Sequence, residues 1–250
     1  MSLNKTAFHS RRPLFTVLLP VLWLAAGVLL VEGVMALLAP EALAHGVTGG
    51  DKGYIQESVG VRLLPFIYLG AKHMMTGYDH LLFLLGVIFF LYRLKDVGLY
   101  VTLFAVGHVI TLLSGVLMAV AINAYIIDAI IGFSVVYKAL DNMGAYRRWF
   151  GVQPDTRAAT FLFGLIHGFG LATKILEYEI SPNGLLPNLI AFNVGVEIGQ
   201  ILALAVILIG MSYWRRSGRF LSHAYSANAF IMMLGFLLMG YQLTGLVVTA

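Results

Sequence analysis

The stretch HMMTGYDHLLFLLG, from His73 to Gly86, places two imidazoles and a carboxylate at the start of a long apolar run. Ionisable groups are costly next to lipid, so those found in or beside a membrane-spanning segment usually have a function. Three further ionisable residues lie inside later apolar runs, namely His108, His167 and Glu197. The pattern predicts a polar route, suited to a metal ion, through a membrane protein.

The composition is that of an integral membrane protein. Of the 250 residues, 60% are hydrophobic and only 11% are charged, whereas soluble domains carry about 25% charged residues. The absence of cysteine excludes disulfides, thiolate zinc sites and iron–sulfur ligation. The net charge of +4 does not indicate nucleic acid, because the basic residues cluster in short loops, as in membrane proteins.

The apolar runs predict an all-α bundle of seven transmembrane helices, since a span needs roughly 20 mostly apolar residues. The predicted spans are Leu14–Leu38, Asp79–Tyr92, Gly98–Val120, Ala124–Leu140, Ala158–Leu176, Leu186–Met211 and Ala227–Val247. The second is short, and we expect it to begin near Leu63–Gly70 and to break at Gly77, after which Asp79 caps a new helix. Residues 1–60 then form a signal-anchor helix with an external loop, and residues 61–250 form a six-helix core.

The basic residues predict the orientation of the chain in the membrane. Twelve of the 16 fall on one side of the predicted spans: Lys5, Arg11, Arg12, Arg93, Lys95, Lys138, Arg147, Arg148, Arg157, Arg215, Arg216 and Arg219. The other four are Lys52, Arg62, Lys72 and Lys174. The positive-inside rule makes the first side cytoplasmic, so we expect an internal N-terminus, an external C-terminus and an outward-facing His73–His80 segment.

The first apolar run has two interpretations. Ala42-Leu43-Ala44 before His45 is typical of a signal-peptidase site, and cleavage would give His45 an amine and an imidazole able to bind copper. Leu14–Leu38 is, however, longer than the ~7–15 apolar residues of a signal peptide. We expect a retained signal anchor.

The segment before the second span is a candidate metal-entry site. On one continuous helix, His73 and His80 would lie ~10 Å apart along the axis, which is too far for one ion with ligand bonds near ~2 Å. A break at Gly77 would bring both histidines together with Asp79. The alternative is a helix cap flanked by two interfacial histidines.

Two histidines lie deeper in the predicted bundle. His108 is near the middle of the third span and His167 near the middle of the fifth. Either one alone could be a core histidine bonded to a backbone carbonyl. The glycines Gly164 and Gly168 form a small-xxx-small pattern, which lets another helix approach closely and would place His167 against a partner helix.

A polar stripe follows on the sixth span. Asn193, Glu197 and Gln200 recur at i, i+4 and i+7 and share one helix face. A buried carboxylate must be protonated, paired or metal-bound, so this face is predicted to line a route beside the two deeper histidines, with Asp128 near its outer end. The alternative is a structural hydrogen-bond network. Two histidines and a glutamate suit nickel, zinc, copper or cobalt.

Four blocks in sequence order resemble the HupE/UreJ family of bacterial membrane proteins. They are His73-x5-Asp79-His80, Gly107-His108-x2-Thr111-Leu112, Phe163-Gly164-x2-His167-Gly168-Phe169-Gly170 and Asn193-x-Gly195-x-Glu197-x-Gly199-Gln200. The resemblance implies a permease for nickel or a related divalent metal, associated with hydrogenase or urease maturation. It also implies that His73, Asp79 and His80 form the metal-entry motif. Family members typically have about six helices after a signal peptide, and the predicted extra first helix departs from that pattern.

Three functions follow as hypotheses. The first is a carrier or facilitator for divalent metal. The second is an accessory or metal-holding subunit of a membrane metalloenzyme, which would contact lipid and either partner subunits or further copies of itself. The third is an intramembrane metal hydrolase, but the chain has no H-E-x-x-H motif, so we expect no enzymatic activity.

Overall fold

The computed structural model describes residue 55 and residues 59–120, 122–177 and 182–249, and in these ranges every regular element is a helix. The helices are α1 Leu63–Thr76, α2 Tyr78–Ile88, α3 Leu94–Leu117, α4 Ala124–Asn142, α5 Ala145–Phe150, α6 Thr156–Leu176, α7 Leu185–Arg216 and α8 Phe220–Thr249. The predicted all-α class is confirmed. The predicted span Leu14–Leu38 and the cleavage motif before His45 lie outside the described residues.

Four of the described helices, α3, α6, α7 and α8, are long and apolar enough to cross a membrane, and α2 is a shorter apolar helix. This set fits a multi-pass membrane protein. The count of seven spans and the orientation of the termini stay predictions.

The chain breaks at Gly77, as predicted. Helix α1 ends at Thr76 and α2 begins at Tyr78, with the Gly77 N–H donating to the His73 carbonyl at 3.0 Å. The predicted capping role of Asp79 is wrong, because Gly77 occupies the N-cap and no side chain caps α2. Asp79 lies in the first turn instead, where the helix dipole favours a negative charge, and its carboxylate contacts His80.

Glycines allow three pairs of helices to pack closely. Helix α1 lies against α7, α3 against α6, and α4 against α8. A Cβ added at Gly70 would lie 2.0 Å from the Phe192 carbonyl oxygen, and one at Gly164 would lie 2.3 Å from that of Phe104. Such close backbone contact is how helices associate inside lipid, where the hydrophobic effect contributes little.

Helices α1 and α7 run parallel, because their contacts advance in the same direction along both. Gly184 meets Gly60 at the start, and Gly199 meets Ala71 further on. The C-terminal end of α1, which carries His73, therefore lies beside the middle of α7. This arrangement positions the Gly77 break inside the bundle.

Candidate metal centre

Three buried side chains offer ligand atoms to a common point. One atom each from Asp79, His80 and His167 lies within 4.8 Å of the others. The exposed fractions of these residues are 3%, 1% and 1%. Two come from the first turn of α2 and one from the middle of α6, so the fold joins segments almost 90 residues apart in the chain.

Hydrogen bonds orient both rings. His80 Nδ1 donates to Asp79 Oδ1 at 3.0 Å, and His167 Nδ1 donates to the Phe163 carbonyl at 2.7 Å. A carbonyl and an ionised carboxylate only accept, so each neutral ring carries its proton on Nδ1 and its lone pair on Nε2. Nε2 of His167 lies 4.0 Å from Asp79 Oδ2. Histidines that bind metal are commonly held by such a second hydrogen bond.

Two further histidines join this group. The ring centroid of His80 lies 5.2 Å from that of His73, 6.2 Å from that of His108 and 4.9 Å from that of His167. Four imidazoles and one carboxylate from α1, α2, α3 and α6 therefore form a single group, here termed the His/Asp cluster (His73, Asp79, His80, His108 and His167).

The sequence predicts an entrance at the membrane surface and a separate, deeper pair of histidines, whereas the structure brings the two sets together. His80 is in edge contact with His167, which lies near the middle of α6. The physical reason is the parallel packing of α1 on α7, which carries the Gly77 break down to the level of the α3 and α6 midpoints. The predicted approach of His73 to His80 across the break is confirmed.

Aromatic side chains surround the cluster. The ring centroid of His167 lies 5.5 Å from that of Phe83 and 5.0 Å from that of Phe104, and Phe104 also stacks on His108 at 6.2 Å. These apolar walls strengthen the attraction between the Asp79 carboxylate and a cation, because few water dipoles screen it. Sequence reasoning missed both phenylalanines, since they lie among many other apolar residues.

The profile of the family described as HupE / UreJ protein matches residues 49–250. The chain belongs to the HupE / UreJ family. The match includes the whole His/Asp cluster, and the family is associated with nickel or cobalt transport or with accessory functions. No curated protein and no solved structure matches the chain.

In this HupE / UreJ family member, the helix that carries the polar stripe, α7, packs against α1. Asn193 and Gln200 are buried, whereas Glu197 is half-buried and is not part of the three-ligand group. Asn193 Nδ2 donates to the Leu189 carbonyl at 2.9 Å. Asn193 Oδ1 and both amide atoms of Gln200 have no hydrogen-bond partner among the described residues. Buried amides in this state are usually satisfied by water or by a bound ion.

Asp128 lies apart from the stripe. Its Oδ2 accepts a hydrogen bond from Lys174 Nζ at 2.7 Å, so α4 and α6 are joined by a buried ion pair. The sequence predicts Lys174 only as one of the external basic residues and gives it no partner. The two residues are 46 positions apart, and no local pattern in the sequence links them.

Proposed function

We propose that this HupE / UreJ family member is a permease for a divalent transition metal in the bacterial cytoplasmic membrane, and that the cargo ion binds at the His/Asp cluster. One observation carries the proposal. Ligand atoms of Asp79, His80 and His167 lie within 4.8 Å of one another inside a bundle of apolar helices.

The donor set suits the proposed cargo. Imidazole nitrogens and a carboxylate oxygen favour nickel, copper, zinc or cobalt over magnesium or calcium. Bonds to such ions are about 2.0–2.2 Å long, so the three side chains must approach one another by about 1 Å to share an ion. The Asp79 carboxylate would offset part of the charge, while His73 and His108 would accept the ion as it moves.

The stripe on α7 is proposed to form one part of the route. Phe192 lies next to Asn193 in the chain, and its ring centroid is 5.9 Å from that of His73. Glu197 and the buried amide of Gln200 follow on the same face. The sequence contains no nucleotide-binding motif, so we propose transport down a gradient or coupled to protons, for which histidine and glutamate are suited. No catalytic role is assigned.

A metal-holding accessory subunit is the second candidate. The near-complete burial of Asp79, His80 and His167 favours it, because an ion enclosed in this way would leave slowly. Such a subunit would bind metal without moving it across the membrane, and would act through partner subunits or further copies of itself.

Reconstituted transport separates the two candidates. Purified protein in proteoliposomes would be assayed for uptake of nickel, cobalt, zinc and copper, with His80→Ala as the test variant. His223→Ala is the matched control, because that histidine is exposed on α8. Metal-specific uptake that is lost only in His80→Ala supports the permease. Tightly bound metal without uptake supports the accessory subunit.

A further inference from the structure

A second charged group lies inside the bundle, where Asp128 of α4 meets Lys174 of α6. The side chains are 5% and 10% exposed, and Nζ lies 2.7 Å from Oδ2. Desolvating two charges costs several kcal/mol per ion, and a well-packed apolar pair would often be as stable. Ionisable pairs inside membrane proteins commonly mark the paths of ions.

The pair is aligned with the His/Asp cluster along α6. His167, Gly170 and Lys174 are at i, i+3 and i+7 and therefore share one face. A Cβ added at Gly170 would lie 3.5 Å from Asp128 Oδ1. The Asp128 carboxylate therefore lies about one helical turn beyond His167 along α6, and Lys174 lies about one turn further. His167 and Lys174 are separated by ~10 Å along the helix axis.

One oxygen of the Asp128 carboxylate, Oδ2, accepts a hydrogen bond from Lys174, and the other does not. Asp128 Oδ1 is buried and has no hydrogen-bond partner in the part of the chain that the structure describes. Lysine is a point charge on a flexible stem, which can swing away from a partner more readily than the planar guanidinium of arginine. The geometry therefore offers a carboxylate whose counter-ion can be exchanged.

We propose that Asp128 is a second cation-binding station on the metal route, and that Lys174 is a tethered counter-ion that a passing divalent cation displaces. The inference rests on the proposed permease function. An arriving ion binds the Asp128 carboxylate, and the ammonium group moves off Oδ2. When the ion passes on to Asp79, Lys174 returns and restores the pair. Between these events the ammonium group repels other cations and closes this end of the route.

Two variants give opposite results if the proposal is right. Lys174→Met leaves the carboxylate without its competitor, so binding of nickel to the purified protein should tighten on the order of tenfold. Asp128→Asn/Lys174→Met removes the station, so uptake into proteoliposomes should fall at least on the order of tenfold, with nickel still bound at the His/Asp cluster.

A purely structural ion pair predicts the reverse order of activity for the two variants. The single variant would then be unstable and inactive, because it buries an unpaired charge, and the neutral double variant would recover.

A third variant keeps the test decisive if Lys174→Met fails to fold. Lys174→Arg preserves the ion pair, but the guanidinium can hold both carboxylate oxygens at once. It should therefore slow uptake without lowering thermal stability. Thr173→Val is the matched control, because Thr173 is buried next to Lys174 and its hydroxyl donates to the Phe169 carbonyl of its own helix. Wild-type uptake in both Lys174→Arg and the double variant would overturn the proposal.

The outcomes also distinguish this inference from the function on which it rests. If the wild type binds and transports nickel but the double variant does so equally well, only the second station is refuted. If the wild type neither binds nor transports any of the four metals, the permease and the station both fail.

Discussion

Gly77, at the break between α1 and α2, lies against the side chain of His80 in the first turn of α2. A Cβ added at Gly77 would lie 2.8 Å from His80 Nδ1 and 3.1 Å from Asp79 Oδ1. The φ of Gly77 is −73°, which any residue adopts, so the position requires glycine for space and not for backbone freedom. The His80–Asp79 hydrogen bond therefore depends on the space that Gly77 leaves beside it.

Gly77→Ala should weaken metal binding while leaving the fold intact. The methyl group would displace the His80 ring or the Asp79 carboxylate, and we expect the Kd for nickel to rise on the order of tenfold, or about 1.4 kcal/mol. Isothermal titration of the purified protein measures this. Gly98→Ala is the control, since among the described residues no other part of the fold comes within 4 Å of a Cβ added there. Equal affinity in both variants would show that Gly77 does not constrain the site.

Gly168→Ala should separate α3 from α6. The added Cβ would lie 2.2 Å from both the His108 carbonyl oxygen and the Thr111 hydroxyl, so the helices must move apart. Overpacking of this kind costs about 1–3 kcal/mol, which thermal unfolding in detergent would detect. Gly210→Ala on α7, where an added Cβ meets open space in the part of the chain that the structure describes, should be at least as stable as the wild type. A Gly168→Ala protein that unfolds like the Gly210→Ala protein would argue against this helix contact.

Arg215→Met should loosen the helix that carries Asp79 and His80. Arg215 Nη2 donates to the carbonyls of Ile88 and Phe89 at 2.7 and 2.8 Å, at the C-terminal end of α2. Hydrogen bonds from charged groups contribute about 1.5–3 kcal/mol, so thermal stability should fall by an amount in that range. Arg216→Met is the control, because Arg216 is the exposed neighbour of Arg215. Faster hydrogen exchange confined to α2 would confirm that Arg215 holds this helix in place, and unchanged exchange there would refute it.

The sequence predicted the all-α class and the Gly77 break, and it singled out each member of the His/Asp cluster as a candidate metal ligand. Long apolar runs fix where helices occur, and the small-xxx-small pattern of Gly164 and Gly168 predicted a close helix contact, now seen between α6 and α3. These signals are local, so the residues that carry them can be read along the chain.

The depth of the cluster could not be predicted, because it depends on which helices pair. Nothing local to His73 shows that α1 runs parallel to α7 and enters the bundle. The Asp128–Lys174 pair and the contact of Arg215 with Ile88, 127 positions apart, depend on tertiary packing in the same way. Sequence patterns therefore single out candidate residues but do not show which of them meet in the fold.

Glu197→Gln should impair passage of the ion more than its binding. The substitution keeps the size of the side chain and removes its charge, and Glu197 is outside the three-ligand group. We expect uptake into proteoliposomes to fall on the order of tenfold, with the amount of nickel bound to the purified protein unchanged. If the variant only lowers the yield of folded protein, Glu197 has a structural role.

X-ray absorption at the nickel edge, on protein loaded with one equivalent of the ion, shows whether the ion binds at the His/Asp cluster. We expect nitrogen and oxygen ligands at ~2.0–2.2 Å, with multiple scattering from at least two imidazoles. His167→Ala should lose one of them, because His167 reaches the site only through the packing of α6 against α2 and α3. An unchanged spectrum in His167→Ala would contradict a shared site within the bundle and would place the ion elsewhere.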